Sequence, residues 1–405
     1  MRVRARFLTA AAAASLVLSG VAAVATPAVT AAAGCSVTNG AKHATTLAAA
    51  VKAAAPGATL TVHGTCAGAT TIAKRLTIVG GSPAGVLKGK GGRVLTIAAG
   101  PVKLSGLTIT GGTAKDCPGV ANAVCAGGIL VEQQGAVTLT RVQLVDNQAQ
   151  AIAGRPLATG GGMVVRGRAT FIESTITGNS VSATTDGEGG AIHVDHGSVT
   201  FTRSLLASNL AQGTSSAVGG AIYSVGGRTA LFDSTLSTNH ASSPGSSVGG
   251  GYVDVVNVAW PALRLAGSTV TLNDGGGLAG GLYSSGDIRI DGSIVADNVA
   301  TSDRDCAFNG AHSFVASYDL VGTNAGCTQF LNLQNGSWVG TNASYLHANL
   351  SGLANHGGPT KTHALLDGSA AIGTAGDAPC ITARDQRGVK RPKGAACDMG
   401  AYERS

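Results

Sequence analysis

Residues 189–209 read GGAIHVDHGSVTFTRSLLASN, and residues 219–239 read GGAIYSVGGRTALFDSTLSTN. The two stretches share a Gly pair, a small-apolar pair and a closing Leu-x-x-Asn at one spacing of 30 residues. Within each copy, apolar and small polar residues alternate, as in Ser198-Val199-Thr200-Phe201, which is the period of a half-buried strand. Working outward, the same pattern closes on Asn147, Asn179, Asn209, Asn239, Asn273 and Asn298. Three positions before each Asn stand Leu144, Ile176, Leu206, Leu236, Val270 and Val295. Eight positions before stand Leu139, Phe171, Phe201, Leu231, Leu265 and Ile290. Ser174, Ser204, Ser234, Ser268 and Ser293 recur five positions before, with Val142 in the first copy. Short strands punctuated by Gly and Asn, with no helical period between them, imply an all-β solenoid in which each repeat is one coil and the apolar columns stack into one core. An Asn in the left-handed conformation is expected at the corner, turning the chain while its amide bonds the next coil.

Ahead of the repeats, Thr46 to Ala54 has helical composition and precedes Pro56-Gly57, so it is expected to form a short helix capping the first coil. The first 33 residues combine Arg2, Arg4 and Arg6 with an apolar run from Phe7 to Ala25 and a small-residue end at Ala31-Ala32-Ala33, the pattern of a secretory signal peptide. Removing them lowers Lys and Arg from 28 to 25 against 21 acids, leaving a net charge of +4. With no Lys/Arg run, nucleic acid is not an expected partner. The low charged fraction, 12% beside 44% apolar residues, also excludes a charged disordered chain. Eight cysteines behind a signal peptide read as disulfides in an oxidising compartment. They fall into sequence-local pairs, Cys35 with Cys66, Cys117 with Cys125, Cys306 with Cys327 and Cys380 with Cys397, although the sequence alone leaves every other connectivity open. No pair has C-x-x-C spacing, and no metal or cofactor is expected.

These residues carry a resemblance. The Gly-Gly-Ala-Ile and Leu-x-x-Asn repeats at 189–209 and 219–239 are similar to those of polymorphic outer-membrane proteins. Residues 45–300 resemble right-handed parallel β-helix proteins of the pectin-lyase-like class. The segment with Asp305-Cys306, Tyr318-Asp319-Leu320-Val321-Gly322, Gly357-Gly358-Pro359-Thr360, Asp385-Gln386-Arg387-Gly388 and Cys397-Asp398-Met399-Gly400-Ala401-Tyr402-Glu403 resembles a choice-of-anchor Q domain. The expected organisation is a signal peptide at 1–33, a β-helix with its cap at 34–292, and a loop-rich, disulfide-bonded C-terminal part at 293–405. The resemblance implies a secreted bacterial protein and, because the sequence stops soon after Glu403, release from the cell rather than retention on a membrane.

For function, the chain has neither the carboxylate cluster and base of a Ca²⁺-dependent lyase nor the Asp pair of a galacturonase. The candidate binding face comes from aligning the Gly pairs, which puts His193, Tyr223, Val253 and Tyr283 in one column. If Ile192, Ile222, Tyr252 and Leu282 face inward, this column faces outward together with Asp195, near Glu188 and Asp186. Exposed rings beside carboxylates suit a sugar, since rings stack on its apolar faces and carboxylates accept from its hydroxyls. The expectation is a monomeric, non-catalytic rod that binds extracellular or cell-wall polysaccharide or another cell-surface component. The alternative is a polysaccharide lyase or glycoside hydrolase acting on an acidic polysaccharide.

Overall fold

A computed structural model describes residues 34–82, 84–255, 261–310, 313–377 and 379–404. The expected signal peptide lies outside the described residues. The chain from Gly34 forms a parallel β-helix. Its strands stack into sheets of 19, 11, five and five strands, and pairing is parallel apart from the Ser36–Asn39 strand and a few isolated bridges.

One coil shows the build. Ile192–Asp195 and Ser198–Thr202 both belong to the 19-stranded sheet, Leu205–Ala207 belongs to the 11-stranded sheet, and Leu210–Gln212 and Ser216–Val218 belong to the two small sheets. Inward residues stack from coil to coil: Leu139, Phe171, Phe201, Leu231, Leu265 and Ile290 pair in order along one column, and Leu144, Ile176, Leu206, Leu236, Val270 and Val295 along another. All are essentially inaccessible, and Phe171 stacks on Phe201 with ring centroids 5.1 Å apart. The small sheets face each other across a thin core of Ala149, Ala158, Val181, Ala211, Ala217 and Ala241, where their close approach leaves little room beyond a methyl group. Gly189, Gly219 and Gly249 take φ of about +65°, and each is followed by a Gly whose missing side chain matters. A Cβ on Gly190 would sit 2.2 Å from the Gly220 carbonyl oxygen of the next coil.

Two polar ladders run through the middle coils. Each ladder Asn donates both its backbone N–H and its Nδ2 to Oδ1 of the next Asn at 2.8–3.1 Å, from Asn147 through Asn298. The last rung, Asn298, donates both groups to Oδ1 of Asp305. In parallel, Val142, Ser174, Ser204, Ser234 and Ser268 each donate a backbone N–H to the Oγ of the next Ser, and Ser293 donates to Oδ1 of Asp319. Both series end on a carboxyl oxygen that accepts these bonds, so each terminal donor is met.

The expected left-handed Asn is corrected by the structure. The turn is made one residue earlier, at Asp146, Gly178, Ser208, Thr238, Leu272 and Asp297, and the Ser ladder likewise follows Arg141, Glu173, Arg203, Asp233, Gly267 and Gly292, all with φ between 47° and 66°. The physical reason is direction: the left-handed residue turns the chain through the corner from one sheet to the next, and the residue after it is buried with its side chain in the core. Each non-Gly residue held this way costs about 1 kcal/mol. One rung such as Asn209, which donates from Nδ2 to Ile176 O, Ala207 O and Asn239 Oδ1, returns several net hydrogen bonds of about 1 kcal/mol each.

Both ends of the rod are closed. The helix Leu47–Ala53, capped by Thr46 Oγ1 accepting from Ala49 N at 3.2 Å, buries Leu47, Ala50 and Val51 over the first coils. The parallel ladders continue past residue 292 to Trp338–Val339. There Phe330 packs on Phe314 and Phe308, and Cys306–Cys327 ties the covering loop to the last coil. Cys35–Cys66, Cys117–Cys125 and Cys380–Cys397 are the other bridges, the sequence-local pairing throughout. Among the described residues after Val339 no strand forms. This tail folds back over the outer face of the 11-stranded sheet.

Candidate functional site

The registry column of the candidate face is Leu130, Val164, His193, Tyr223, Val253, Tyr283 and Ala307. It points away from the main core, but it is not an exposed ladder, and that expectation is corrected. Val253 is fully buried and Tyr223 is 9% exposed, because the column lines the inner corner between the 19-stranded sheet and the small sheet carrying Asp186–Glu188 and Ser216–Val218. At the start of the column, Leu130 and Val164 are covered by the loop closed by Cys117–Cys125. His193 and Tyr223 do meet, with ring centroids 5.2 Å apart. Tyr283 lies two rungs from Tyr223, separated from it by Val253, and is not brought to the pair.

Glu188 reaches the corner from the small sheet, with Oε2 3.6 Å from His193 Nδ1. Burial, together with the charges of Asp186 and Asp195, pushes the Glu188 carboxyl up to about 7. Burial pushes His193 down to about 4, with Arg166 and His196 adding to the effect against Asp195. Between those values both groups are neutral, so their approach is not an ion pair. His193 Nδ1 is buried without a hydrogen-bond partner.

Asp195 ends the strand and belongs to a charge cluster that spans three coils. Glu132, Arg166 and Asp195 each follow a residue of the inward column Val131, Val165 and Val194, so they stack as acid, base and acid. Arg166 donates from Nη1 to Glu132 Oε2 and from Nε to Asp195 Oδ2, both at 3.2 Å. His196 Nδ1 lies 2.8 Å from Asp195 Oδ1. Burial raises the Asp195 pKa, but the hydrogen bond from His196, the nearby His193 and the bonds from Arg166 outweigh it and hold the carboxyl below its usual range.

Over this cluster the rod opens into a cleft. Two abutting cavities of about 510 and 530 Å³ share Gln133, Gln134, Arg166 and His196. One is walled by Pro118, Gly119 and Val120; the other extends over Arg168, Ser198 and Arg228. Arg168 and Arg228 are exposed, sit on either side of Ser198 in a single column, and form no ion pair among the described residues. The arrangement offers unpaired guanidinium donors, amide groups and one tightly paired Arg along an open trough, which suits a ligand rich in hydroxyl or acidic oxygens. Among the described residues, no group of three His, Cys, Asp or Glu converges as metal ligands, and no helix is long and apolar enough to cross a membrane.

Sequence reasoning reached His193, Asp195 and Glu188 but missed Glu132, Arg166, Arg168 and Arg228. The signal was present in the register: once Val131, Val165 and Val194 are aligned, opposite charges occupy one column. The C-terminal His363 lies elsewhere and is tied down, with Nε2 2.9 Å from Ser237 Oγ and Nδ1 2.7 Å from Ser351 O. The fold and cleft together define a parallel β-helix protein with an open polar groove on one face. No family model, no curated protein and no solved structure matches the chain.

Proposed function

We propose that this chain is a secreted, non-catalytic β-helix protein of the pectin-lyase-like kind, with a choice-of-anchor Q-like C-terminal part, that binds extracellular or cell-wall polysaccharide along the Arg166–His196 cleft. The observation that carries the reading is the open trough with Arg168 and Arg228 free of carboxylate partners on one column. An extended glycan crossing the rungs meets both guanidiniums, the Gln133 and Gln134 amides and His196. The signal peptide, secretion and the four bridges fit one oxidising compartment. A lyase or hydrolase reading rests on a different observation, the neutral acid and neutral base that Glu188 and His193 present side by side.

One assay separates the two. The mature protein is run against acidic and neutral polysaccharides, with and without Ca²⁺, following retention in affinity gels, absorbance of unsaturated products and new reducing ends. Retention without new ends is expected, weakened about tenfold or more in a protein carrying R168A and R228A and reduced by salt. New ends that disappear in H193A favour the enzyme, and no retention by any member contradicts the binding reading.

A further inference from the structure

We propose that the loop closed by Cys117–Cys125 is the positioning wall of the cleft, holding the Arg166 guanidinium in place; this rests on the reading of the cleft as the binding face. Three of the four bridges serve the ends of the molecule: Cys35–Cys66 the first coils, Cys306–Cys327 the last coil and Cys380–Cys397 the tail. Cys117–Cys125 closes the shortest loop, with a separation of eight residues, and stands beside the cleft.

Beyond the bridge, one short ladder and a small set of hydrogen bonds fix this loop. Of its residues, only Ala123–Cys125 enters a ladder, pairing with Leu157–Thr159. Arg155 Nη1 donates to Ala123 O at 3.2 Å, Leu157 N–H to Asn122 O at 3.4 Å and Val120 N–H to Cys117 O at 2.9 Å, and the rest of the hold comes from Arg93, Arg166 and one apolar seat. Arg93 donates from Nε to Ala126 O at 3.1 Å and from Nη2 to Asp116 O at 3.1 Å and Cys125 O at 2.9 Å, so a single guanidinium clamps both ends of the loop. Cys117 and Val120 pack with Leu130 and Val164.

The bridge reaches the cleft chemistry directly. Arg166 Nη2 lies 3.6 Å from Cys117 Sγ, while Nη1 and Nε are taken by Glu132 and Asp195. The three contacts use the three nitrogens of one planar group, so together they fix its plane. With the bridge gone, Pro118, Gly119 and Val120 are free to leave the wall, and Arg166 loses one of its three constraints. The bridge thus acts on the ligand through Arg166 and the wall.

The test uses the mature protein with both C117S and C125S, and with both C380S and C397S as a control that removes a bridge away from the cleft. Hydrogen exchange is read on peptides covering 132–134, 166–167 and 195–197, and affinity is read on any polysaccharide that the wild type retains. The proposal expects about tenfold faster exchange in those peptides and about tenfold weaker retention without the Cys117–Cys125 bridge, and neither change in the control. R93K, with the bridge intact, is expected to move the same peptides in the same direction by a smaller factor. Wild-type exchange in the C117S/C125S protein, or an equal rise in the control, overturns the proposal. If the C117S/C125S protein does not fold, unchanged exchange in R93K overturns it. A wild type that retains no polysaccharide contradicts the binding reading alone, and the exchange result still decides the role of the loop.

Discussion

The middle coils and the C-terminal tail solve one problem, satisfying buried polar groups, by opposite means. Between Gly127 and Val299 each ladder Asn or Ser meets the ladder residue one coil on, so one local rule repeated along the chain serves both columns. After Val339 there is no repeat, and single ion pairs do the work. Arg391, 5% exposed, donates to Glu403 Oε2 at 3.1 Å and to Asp398 O at 2.7 Å, and lies 3.8 Å from Asp233 of the rod. Arg387 binds Asp385 at 2.7 Å and stacks 3.6 Å over the Tyr402 ring. The difference teaches that a repeat distributes the cost of burial over many equal partners, whereas an irregular segment concentrates it on a few charged ones.

The largest break in this comparison is N209A. It orphans the Asn179 N–H, removes one of the three acceptors of Asn179 Nδ2, and takes the Nδ2 donor from the Ile176 and Ala207 carbonyls, and at 1–3 kcal/mol for each of the three groups that lose a partner outright the loss is about 4–5 kcal/mol. Urea denaturation should show the whole rod weakened; a loss below about 1 kcal/mol contradicts the ladder's importance. R391A should cost about 3–4 kcal/mol, because Glu403 keeps its burial and loses its cation, but the damage should stay in the tail. Limited proteolysis distinguishes these cases: cleavage confined to residues after 339 is expected, and concurrent loss of the rod is not. Removing Cys380–Cys397, which closes 17 residues, should cost about 3 kcal/mol, against about 2.5 kcal/mol for the eight-residue Cys117–Cys125 loop. Thermal melts of the two serine pairs test that order.

The smallest effect is a pH slope. Burial pushes Glu188 and Asp233 up to about 7 and Asp305 up to about 6. In the unfolded chain such groups titrate near 4, so their contribution is fully present below that value and is lost as pH rises towards 6–7. His193, pushed down to about 4, acts in reverse: its stabilisation is present above about 6.5 and is lost as pH falls towards 4. Burial raises Asp254, Asp319 and Glu403 as well and lowers His363, and Asp195 is held low, so raised carboxyls outnumber the opposing groups and the melting temperature declines from about pH 4 to pH 7. D305N should flatten the part between about 4 and 6, and an unchanged slope contradicts the role given to that carboxyl.

What the sequence made legible follows from the same contrast. The Asn, Ser and Gly columns recur every 25 to 34 residues, so alignment alone recovers the coils, the inward columns and the His193–Tyr223 neighbours. Local geometry was less readable. The turn falls at Ser208 rather than Asn209 because any of several residue types can take a left-handed φ, whereas only the buried ladder position demands an amide. The burial of Tyr223 and Val253 depends on a neighbouring sheet whose angle no periodicity reveals. In the tail, pairs such as Thr235 with Gln386 join residues 151 apart, and nothing repeats to announce them.

The claim that rod and tail are held by different physics is tested most directly by native-state hydrogen exchange across residues 34–405. The account predicts two groups of protected amides. Those of Asn179, Asn209 and Asn239 should exchange only with global unfolding of the rod, while the tail amides that bond Asp385, Asp398 and Glu403 open together at lower free energy. A single opening free energy shared by both groups would contradict it.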